Sequence, residues 1–244
     1  MKFRGPDFSP KAPRSLRVGG VVPFTATDYP GQIAAVVFVQ GCPWRCTYCH
    51  NPHLQPRTRN GAFEWQAVLS LLTRRVGLLD AVVFSGGEPT SDPALAQAIR
   101  DVRTLGFKVG LHTAGTHPRR LREVLPLVDW VGLDVKAAFT GYMSVTRVPD
   151  SGKHVLASLE AVLASGVQYE CRTTLHPELL PESEILRLAQ TLSAMNITNY
   201  ALQVFRAQGC DDDGLNAVSM AGYPDHELIS RIAALFPAFT LRRG

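Results

Sequence analysis

The sequence predicts a single α/β domain, built as an incomplete (β/α)6 TIM-like barrel of parallel strands. Apolar runs of strand length alternate six times with amphipathic stretches of helical length. The 244 residues suffice for one such domain with a full core, and no segment indicates a linker or a second domain. Six repeats, where a closed barrel has eight, would leave one edge of the sheet open.

The predicted strands are short runs rich in β-branched and aromatic residues. In chain order they are 33–39, 80–84, 107–112, 128–134, 168–174 and 198–204. Because each is followed by a helical stretch, the alternation favours parallel strands joined by right-handed crossovers. Residues 1–14 contain three prolines and four basic residues without periodicity, so we expect a loose N-terminal arm there and the domain at 15–244.

The predicted helices are amphipathic, and several carry start or stop signals. In chain order they are 64–76, 92–105, 117–125, 152–165, 182–195 and 225–235. Ser91–Pro93 marks one start, since proline suits the first turn, and Asp150–Gly152 marks another. Gly106 and Gly166 stand just past helix ends, where a left-handed residue is favoured.

The composition is that of an ordinary soluble globular protein, with 45% hydrophobic and 19% charged residues. The net charge of +4 is too small to indicate nucleic-acid binding. No apolar run approaches the roughly 20 residues of a membrane span, and the first ten residues lack the apolar stretch of a secretory signal. We therefore expect a cytoplasmic protein that binds neither nucleic acid nor membrane.

Three cysteines in one short segment are the most informative feature. Cys42, Cys46 and Cys49 form a C-x3-C-x2-C triplet directly after the first predicted strand. Three thiolates on one loop can hold three irons of a [4Fe–4S] cluster and leave the fourth iron without a ligand from the triplet. An iron left open can bind a small molecule, so the spacing indicates a reactive cluster.

Other interpretations of the cysteines stay open at this point. His50 or His53 could complete a zinc site with the triplet. A disulfide framework is less consistent with five cysteines, an odd number, of which three lie within eight positions. Cys171 and Cys210 lie far from the triplet, and we expect both to be buried, unreactive thiols.

A glycine pair follows the second predicted strand, within Phe84–Thr90. Gly86 and Gly87 would let backbone approach a ligand closely, or would form an ordinary turn before a helix. Glu88 adds an anion that could hold an ammonium group. The segment matches neither a P-loop nor a dinucleotide-binding fingerprint, because the residues that define those motifs are missing.

Polar side chains also end the later predicted strands. They are His112, Thr113, Asp134, Lys136, Arg172, Gln203 and Arg206. Each alone could be a helix cap or a solvated charge, but the carboxyl ends of parallel strands meet at one edge of the sheet. Their recurrence therefore predicts one polar cavity shared with the cysteine triplet.

The cysteine triplet, with Tyr48 before its last cysteine and Gly86–Pro89 after it, resembles the radical S-adenosylmethionine (SAM) superfamily. More narrowly, the segments Thr25–Gly31 and Cys49–Pro52 resemble the glycyl-radical-enzyme activases. Among these the pattern is most similar to the activating proteins of anaerobic ribonucleoside-triphosphate reductase, with the pyruvate formate-lyase activases close to it. The strand-end residues extend the resemblance over most of the chain.

The resemblance implies a radical SAM oxidoreductase with one [4Fe–4S] cluster and SAM as cofactors. Its metal ligands would be Cys42, Cys46 and Cys49. The residues around SAM would be Tyr48 near the adenine, Gly86 and Gly87 along the methionyl part, Glu88 at its ammonium group or supporting the loop, Asp134 and Lys136 near its carboxylate, and Arg172, Thr113, Gln203 and Arg206.

Two positions depart from the pattern of pyruvate formate-lyase activase. His112 stands where that relative has an aspartate of a monovalent-cation site, which is therefore not expected here. Arg206 stands near the place of a histidine. The chain also lacks the cysteine-rich insert of some activases, so a single cluster is expected.

The resemblance also implies the reaction and the partners. SAM would be cleaved reductively to a 5′-deoxyadenosyl radical, which would take a hydrogen from the α-carbon of one glycine in a partner enzyme, with no side-chain general base. The expected partner is anaerobic ribonucleotide reductase, and the expected electron donor is flavodoxin- or ferredoxin-like. The glycine loop would enter at the open edge of the barrel. There the loop 138–151, with Gly141, Tyr142 and Arg147, is either a peptide-facing segment or an ordinary connection.

Three alternative functions stand beside this one. The chain could activate a different glycyl-radical enzyme, such as pyruvate formate-lyase. It could be a radical SAM enzyme that acts on a small molecule, of the type found in queuosine synthesis. It could also be a zinc-binding interaction module. The segments Asp28–Gly31 and Cys49–Pro52 favour an activase over the last two.

Overall fold

A computed structural model describes residues 15–243, which contain one eight-stranded sheet. Its strands are β1 (Val18–Thr25), β2 (Ala34–Val39), β3 (Ala81–Gly86), β4 (Lys108–Thr113), β5 (Trp130–Asp134), β6 (Gln168–Leu175), β7 (Asn199–Val204) and β8 (Ala238–Arg242). They lie side by side in chain order. β1 is antiparallel to β2, and β2 to β8 are parallel.

The predicted fold class is confirmed, because this is a single α/β domain whose mostly parallel sheet is not closed. The helices are α1 (Trp65–Thr73), α2 (Leu95–Thr104), α3 (Pro118–Val124), α4 (Tyr142–Thr146), α5 (Ser151–Ser165), α6 (Glu182–Ala194), α7 (Asp213–Asn216) and α8 (His226–Ala233). Three 3-10 turns lie at Pro52–Leu54, Pro89–Ser91 and Leu125–Leu127. Within the part of the chain that is described, no helix is long and apolar enough to cross a membrane.

All the predicted repeats are present. The six predicted strands are β2 to β7, and the six predicted helices are α1, α2, α3, α5, α6 and α8, with every end within three residues of its prediction. Gly106 and Gly166 follow α2 and α5 with φ of +92° and +71°, as their positions predict. The arm predicted at 1–14 lies outside the described residues.

The sequence analysis missed both edge strands and two short helices. β1 contains two glycines and a proline, and β8 is a five-residue strand with polar positions, so neither gives an apolar run. α4 and α7 have only five and four residues, too few to show a helical period. Edge strands are stabilised by one neighbour, which weakens the pattern that burial imposes on a strand.

Side-chain alternation gives the sheet two different faces. The outer face packs against the helices through residues such as Ala35, Val37 and Val39. The inner face is apolar near the start of the strands, where a second cluster consists of Tyr29, Ala34, Val36, Ala81, Val83 and Trp130. Because aligned residues of parallel strands point to the same side, the register extends this face to Asp134 beside Arg172 and to Thr174 beside Gln203. The inner face therefore becomes polar at the carboxyl ends of the strands.

Candidate active site

A cavity of about 280 Å³ lies at the carboxyl ends of the strands, where the sequence analysis predicts one. It brings together most of the predicted site residues: Cys42, Cys46, Tyr48, Cys49, Gly86, Gly87, His112, Thr113, Asp134, Lys136, Arg172 and Gln203. Glu88 and Arg206 do not line it. The parallel register therefore gathers residues that lie up to 161 positions apart in the chain.

The cysteine loop, residues 40–51, is shaped by its packing against neighbouring backbone. The amide of Gly41 donates to the carbonyl of Leu54 (2.7 Å), and the Gly41 carbonyl accepts from the amide of Glu88 (2.9 Å). A Cβ atom at Gly87 would lie only 2.6 Å from the Gly41 carbonyl oxygen. Gly87 is thus required for close packing of the β3 turn on the cysteine loop, in addition to lining the cavity.

Helix α4 supports the cysteine loop from the other side. The amide of Arg45 donates to the carbonyl of Thr146 (3.0 Å), and the amide of Thr47 donates to the carbonyl of Val145 (3.3 Å). Two backbone bonds from a short helix thus hold the loop between its first and last cysteine.

Tyr142, the first residue of α4, links this helix to the end of β5. Its hydroxyl accepts a hydrogen bond from the amide of Lys136 (2.7 Å) and donates one to the carbonyl of Asp134 (3.2 Å). Its ring is buried and meets the Trp44 ring edge-on, with centroids 5.8 Å apart. Of the two interpretations of the loop 138–151, the structural one thus applies to Tyr142, whose buried side chain supports the cavity wall.

The charges of Asp134 and Lys136 face the cavity as a close pair. Lys136 Nζ lies 3.1 Å from Asp134 Oδ2 and 5.3 Å from the centre of the Tyr48 ring. Burial alone would raise the pKa of Asp134, but the charges of Lys136 and Arg172 outweigh it and lower that pKa. Burial alone would lower the pKa of Lys136, but Asp134 raises it well above its usual value. Both groups are therefore ionised, which suits a ligand with an ammonium and a carboxylate group.

Arg172 is held flat against the inner face of the sheet. Its guanidinium lies 4.9 Å from the centre of the Trp130 ring, and its Nε donates to Glu170 Oε1 (2.8 Å). A Cβ atom at Gly132 would lie 2.7 Å from Arg172 Cζ, so only glycine leaves room for this position. Nε is the only Arg172 nitrogen that bonds a side chain in residues 15–243, and the two terminal nitrogens are left for a ligand.

Glu88 does not reach the cavity, contrary to the prediction that it could hold an ammonium group. It is completely buried, and its Oε1 accepts hydrogen bonds from the hydroxyls of Thr90 (2.6 Å) and Thr113 (2.8 Å). Its Oε2 accepts from the amide of Ala114 (2.9 Å). Burial raises its pKa despite these bonds. Glu88 therefore ties the end of β3 to the end of β4, which agrees with the second role considered for it, supporting the loop.

Arg206 also lies outside this cavity and lines a second, neighbouring cavity of about 620 Å³. Its carbonyl bonds to His50 Nε2 (2.9 Å), and the His50 ring stacks on Phe205. Because Arg206 follows the end of β7, its side chain no longer obeys the alternation of the strand. The sequence analysis placed Arg206 beside SAM on the assumption that this alternation continued past the strand end, and that assumption failed.

The three thiols of the triplet line one cavity and do not converge with a fourth side chain into a closed site within residues 15–243. All five cysteines are free, and burial raises the pKa of Cys42 to about 12. Residues 15–243 hold no group of three or more His, Cys, Asp or Glu side chains that converge on a single ion. His53 does not line the cavity.

The two remaining cysteines are buried, as predicted, but they differ in setting. Cys171 is fully buried in β6, where burial raises the pKa of its thiol. Cys210 packs against the cysteine loop, with its Sγ 3.8 Å from the Thr47 carbonyl oxygen. The sequence distance between Cys210 and the triplet concealed this contact.

The connection between β1 and β2 also contributes to the site, although the sequence analysis assigned none of its residues to the cavity. Asp28 in this connection lines the cavity, and its carbonyl accepts a hydrogen bond from His112 Nε2 (2.7 Å). Burial first, and then the charge of Arg172, lower the pKa of His112 to about 4. His112 is therefore neutral at pH 7 and faces the carbonyl of Asp28 as a donor.

Two inner-face residues of β6 were also missed, although the sequence carried a signal for them. Glu170 and Thr174 alternate with Arg172 at the strand period of two, so they share its face. Thr174 lines the cavity, and Glu170 lies behind it as the partner of Arg172.

A second cavity, of about 620 Å³, is continuous with the first. The two share six lining residues: Asp28, His50, His112, Arg172, Thr174 and Gln203. The far wall of the second cavity is formed by Thr27 on one side and by Leu241–Arg243 on the other. It therefore lies between the β1–β2 connection and the end of β8, at the gap between the two edges of the sheet.

Comparison with known proteins identifies the family. Residues 36–192 match the family described as the radical SAM superfamily. The chain belongs to the radical SAM superfamily.

Over 225 residues it is 30% identical to a protein of Methanocaldococcus jannaschii named as a glycyl-radical enzyme activating enzyme, and the alignment covers 88% of this chain and 91% of that protein. It is 32% identical over 177 residues to the pyruvate formate-lyase-activating enzyme of Clostridium pasteurianum, with 70% and 73% covered. Within the superfamily, the chain thus falls in the activating-enzyme group.

Two solved structures share the fold at low sequence identity. QueE from Escherichia coli matches with a TM-score of 0.53 at 17% identity, covering 82% of this chain and 89% of that one. SuiB from Streptococcus suis, bound to its precursor peptide SuiA, matches with a TM-score of 0.65 at 14% identity, covering 85% and 48%. At such identities the likeness concerns the fold alone.

Radical SAM enzymes use a [4Fe–4S] cluster and SAM, so these are the cofactors of this chain. The residues present fit both groups. Three free thiols face one cavity beside a charged pair suited to an amino-acid moiety. The buried hydroxyls of Thr47 and Tyr48, which flank the thiols, have no hydrogen-bond partner among the residues described.

Proposed function

We propose that this radical SAM enzyme generates a glycyl radical in a partner protein, and that the partner is anaerobic ribonucleoside-triphosphate reductase. The observation that carries the proposal is the continuity of the two cavities. The first presents the three thiols and the Asp134–Lys136 pair, and the second opens at the gap between the edges of the sheet. The resemblance of Thr25–Gly31 and Cys49–Pro52 to activases supports the reaction, and the similarity of the whole pattern to the activating proteins of anaerobic ribonucleoside-triphosphate reductase supports the choice of partner.

Cys42, Cys46 and Cys49 are proposed to hold the cluster through three of its irons. When bound, the cluster and SAM supply a 5′-deoxyadenosyl radical by one-electron reductive cleavage. Asp134 attracts the ammonium group of SAM, and Lys136 attracts its carboxylate, since both residues are ionised in the cavity wall. Positioning and exclusion of water are the contributions that such a protein makes to cofactor chemistry.

The other lining residues complete the proposed SAM site: Tyr48, Gly86, Gly87, Thr113, Arg172 and Gln203. No side chain needs to act as a general base, because a hydrogen atom, and not a proton, leaves the glycine. His112 fits this absence, since a pKa lowered to about 4 makes its imidazole a weak proton acceptor.

The substrate is proposed to be a protein segment that enters the second cavity through the gap between β1 and β8. Glycine suits the reaction because no Cβ blocks its α-carbon, and its radical is stabilised by the flanking amides. We also propose a flavodoxin- or ferredoxin-like electron donor, work under anaerobic conditions in the cytoplasm, and a domain spanning 15–244.

The test is spin detection after anaerobic mixing of the reconstituted enzyme, SAM and a reductant with candidate partners. We expect a glycyl radical signal with anaerobic ribonucleotide reductase and none with pyruvate formate-lyase. Cys46→Ala should abolish it, whereas the control Cys171→Ala, at a thiol that packs in the core and does not line the cavity, should retain it. A signal with pyruvate formate-lyase alone would overturn the choice of partner. An intact cluster that cleaves SAM with a small molecule but with neither protein would overturn the activase function.

A further inference from the structure

The second cavity carries more positive charge than SAM binding accounts for. Among the residues described, its lining includes Arg172, Arg206, Arg242 and Arg243, but only one acidic side chain, Asp28. Three of these arginines, all except Arg172, line the second cavity and not the first. They therefore lie beyond the proposed SAM site, in the space proposed for the partner segment.

Nearby acidic groups do not cancel this charge. Arg242 binds the buried Glu170 through both terminal nitrogens, with Nη1 2.7 Å from Oε1 and Nη2 2.8 Å from Oε2. Arg172 shares the same carboxylate, so two guanidinium groups face one anion. Asp28 Oδ2 is engaged by the hydroxyl of Thr25 (2.6 Å). The carboxylate of Asp134, also near Arg172, is paired with Lys136 (3.1 Å). The four arginines therefore face two further carboxylates, those of Glu170 and Asp28.

Two of the guanidinium groups remain available to a ligand. Within residues 15–243, the Arg206 side chain makes no hydrogen bond or ion pair, and both Arg206 and Arg243 are exposed. The Arg243 side chain makes one long contact of 3.4 Å, to the carbonyl of Tyr223. A planar guanidinium matches a carboxylate through two parallel hydrogen bonds, and such charge-assisted bonds are the stronger ones. A segment that offered only backbone carbonyls could accept hydrogen bonds from these groups but would leave both positive charges without a counter-ion.

We propose that the second cavity recognises a carboxylate on the partner segment that carries the reacting glycine, with Arg206 and Arg243 as its ligands. This inference rests on the function proposed above and specifies the chemistry of its substrate. The carboxylate has two possible sources, an acidic side chain near the glycine or the carboxyl terminus of the partner chain. Peptides with one or the other carboxylate distinguish these two sources.

The test compares three nine-residue peptides that differ only in charge around one glycine. The first has an aspartate and an amidated end, the second has asparagine there and an amidated end, and the third has asparagine and a free carboxyl terminus. Binding is measured by fluorescence anisotropy on the reconstituted enzyme with SAM and without reductant. We expect the aspartate peptide or the free-terminus peptide to bind about tenfold more tightly than the neutral one, and less so at high salt.

Variants assign this preference to the two arginines. Arg206→Gln/Arg243→Gln should reduce it to less than about twofold, while the matched control Arg119→Gln, an arginine 93% exposed on α3, should keep it. The charge-reversed variant Arg206→Glu/Arg243→Glu should instead bind a peptide with lysine in place of aspartate more tightly. An unfolded variant would bind no peptide selectively, so this result also shows that the variant is folded. Equal binding of all peptides by the native enzyme, or an unchanged preference in the glutamine variant, would overturn the proposal.

A second readout separates this inference from the function itself. The same peptides, with α-deuterated glycine, are incubated with SAM and reductant, and deuterium in 5′-deoxyadenosine is measured. Transfer that favours the carboxylate peptides supports both proposals. Transfer without a charge preference refutes carboxylate recognition and leaves the activase function standing. No transfer from any peptide or candidate partner protein refutes the function, and the inference with it.

Discussion

At the scale of single residues, the charged side chains of the cavity depend on polar atoms that bind their backbone and do not themselves line the cavity. Asp134 and Lys136 face the cavity, while their backbone is fixed by one hydroxyl, that of Tyr142. That hydroxyl satisfies the Lys136 amide, which would otherwise be buried without a partner. The position of the ion pair thus depends on a residue that does not line the cavity.

We therefore expect Tyr142→Phe to weaken SAM binding although it removes no cavity group. Loss of the hydroxyl leaves the Lys136 amide unsatisfied, so stability should fall by about 1–3 kcal/mol, and SAM affinity by about fivefold. The control is Tyr223→Phe, which loses a buried bond to the Leu180 carbonyl (2.6 Å) at a residue that does not line the cavity. Chemical denaturation and equilibrium SAM binding measure both effects. Equal SAM affinity in the two variants would contradict the assignment.

At the scale of elements, the connection between β7 and α7 closes over the cysteine loop. The His50 ring stacks on Phe205, with centroids 5.6 Å apart, and bonds to the carbonyl that follows it. Cys210 packs on the Thr47 carbonyl. At Gly209 a Cβ atom would lie 2.6 Å from the His50 carbonyl oxygen. The loop that carries the cysteines is therefore packed between this connection and α4.

Gly209→Ala should loosen this packing and reduce cluster loading. Gly209 has φ of +87°, and Gly222, with φ of +74° and nothing within 4 Å, is its matched control. Both alanine variants should lose about 1–2 kcal/mol through left-handed strain. Only Gly209→Ala also forces two backbones apart, at a further cost of about 1–3 kcal/mol.

Iron per chain after reconstitution, together with thermal unfolding of the apoprotein, distinguishes the two variants. We expect less iron in Gly209→Ala than in Gly222→Ala. If both load as the native chain does, the connection does not hold the cysteine loop.

At the scale of the whole molecule, the β1–β2 connection fills the inside of the open sheet. Tyr29 stacks on Trp130, with ring centroids 5.3 Å apart, and Asp28 continues to the cavity wall. His112 joins this connection to β4 through its bond to the Asp28 carbonyl. A half-buried, neutral histidine therefore links the edge of the sheet to its centre.

This link predicts how the stability of the molecule depends on pH. The pKa of His112 is about 4 in the folded chain, against about 6.5 when unfolded. The unfolded state therefore binds more protons between these values, and stability contributed by His112 is present above pH 6.5 and lost as the pH falls towards 4. Denaturation midpoints across this range should fall less steeply in His112→Asn than in the native chain. The surface variant His154→Asn should retain the native slope, and an identical slope in all three would refute the prediction.

Particular residues show how far sequence reasoning reached. Asp134, Arg172 and Gln203 were placed correctly, because strand-end position and a period of two fix the face of each residue. Glu88 and Arg206 were misplaced, because both follow the end of a strand, where neighbouring backbone decides the direction of the side chain.

The sequence by itself determined the repeat of strands and helices, the edge at which the polar residues meet, and the three thiols with their spacing. These follow from local patterns of hydrophobicity and from the geometry of parallel strands. Only the tertiary structure decided that Tyr142 lies beneath the ion pair, that Cys210 packs on the cysteine loop, and that four arginines share one cavity. Those contacts join distant parts of the chain across irregular segments, where no sequence period relates one residue to another.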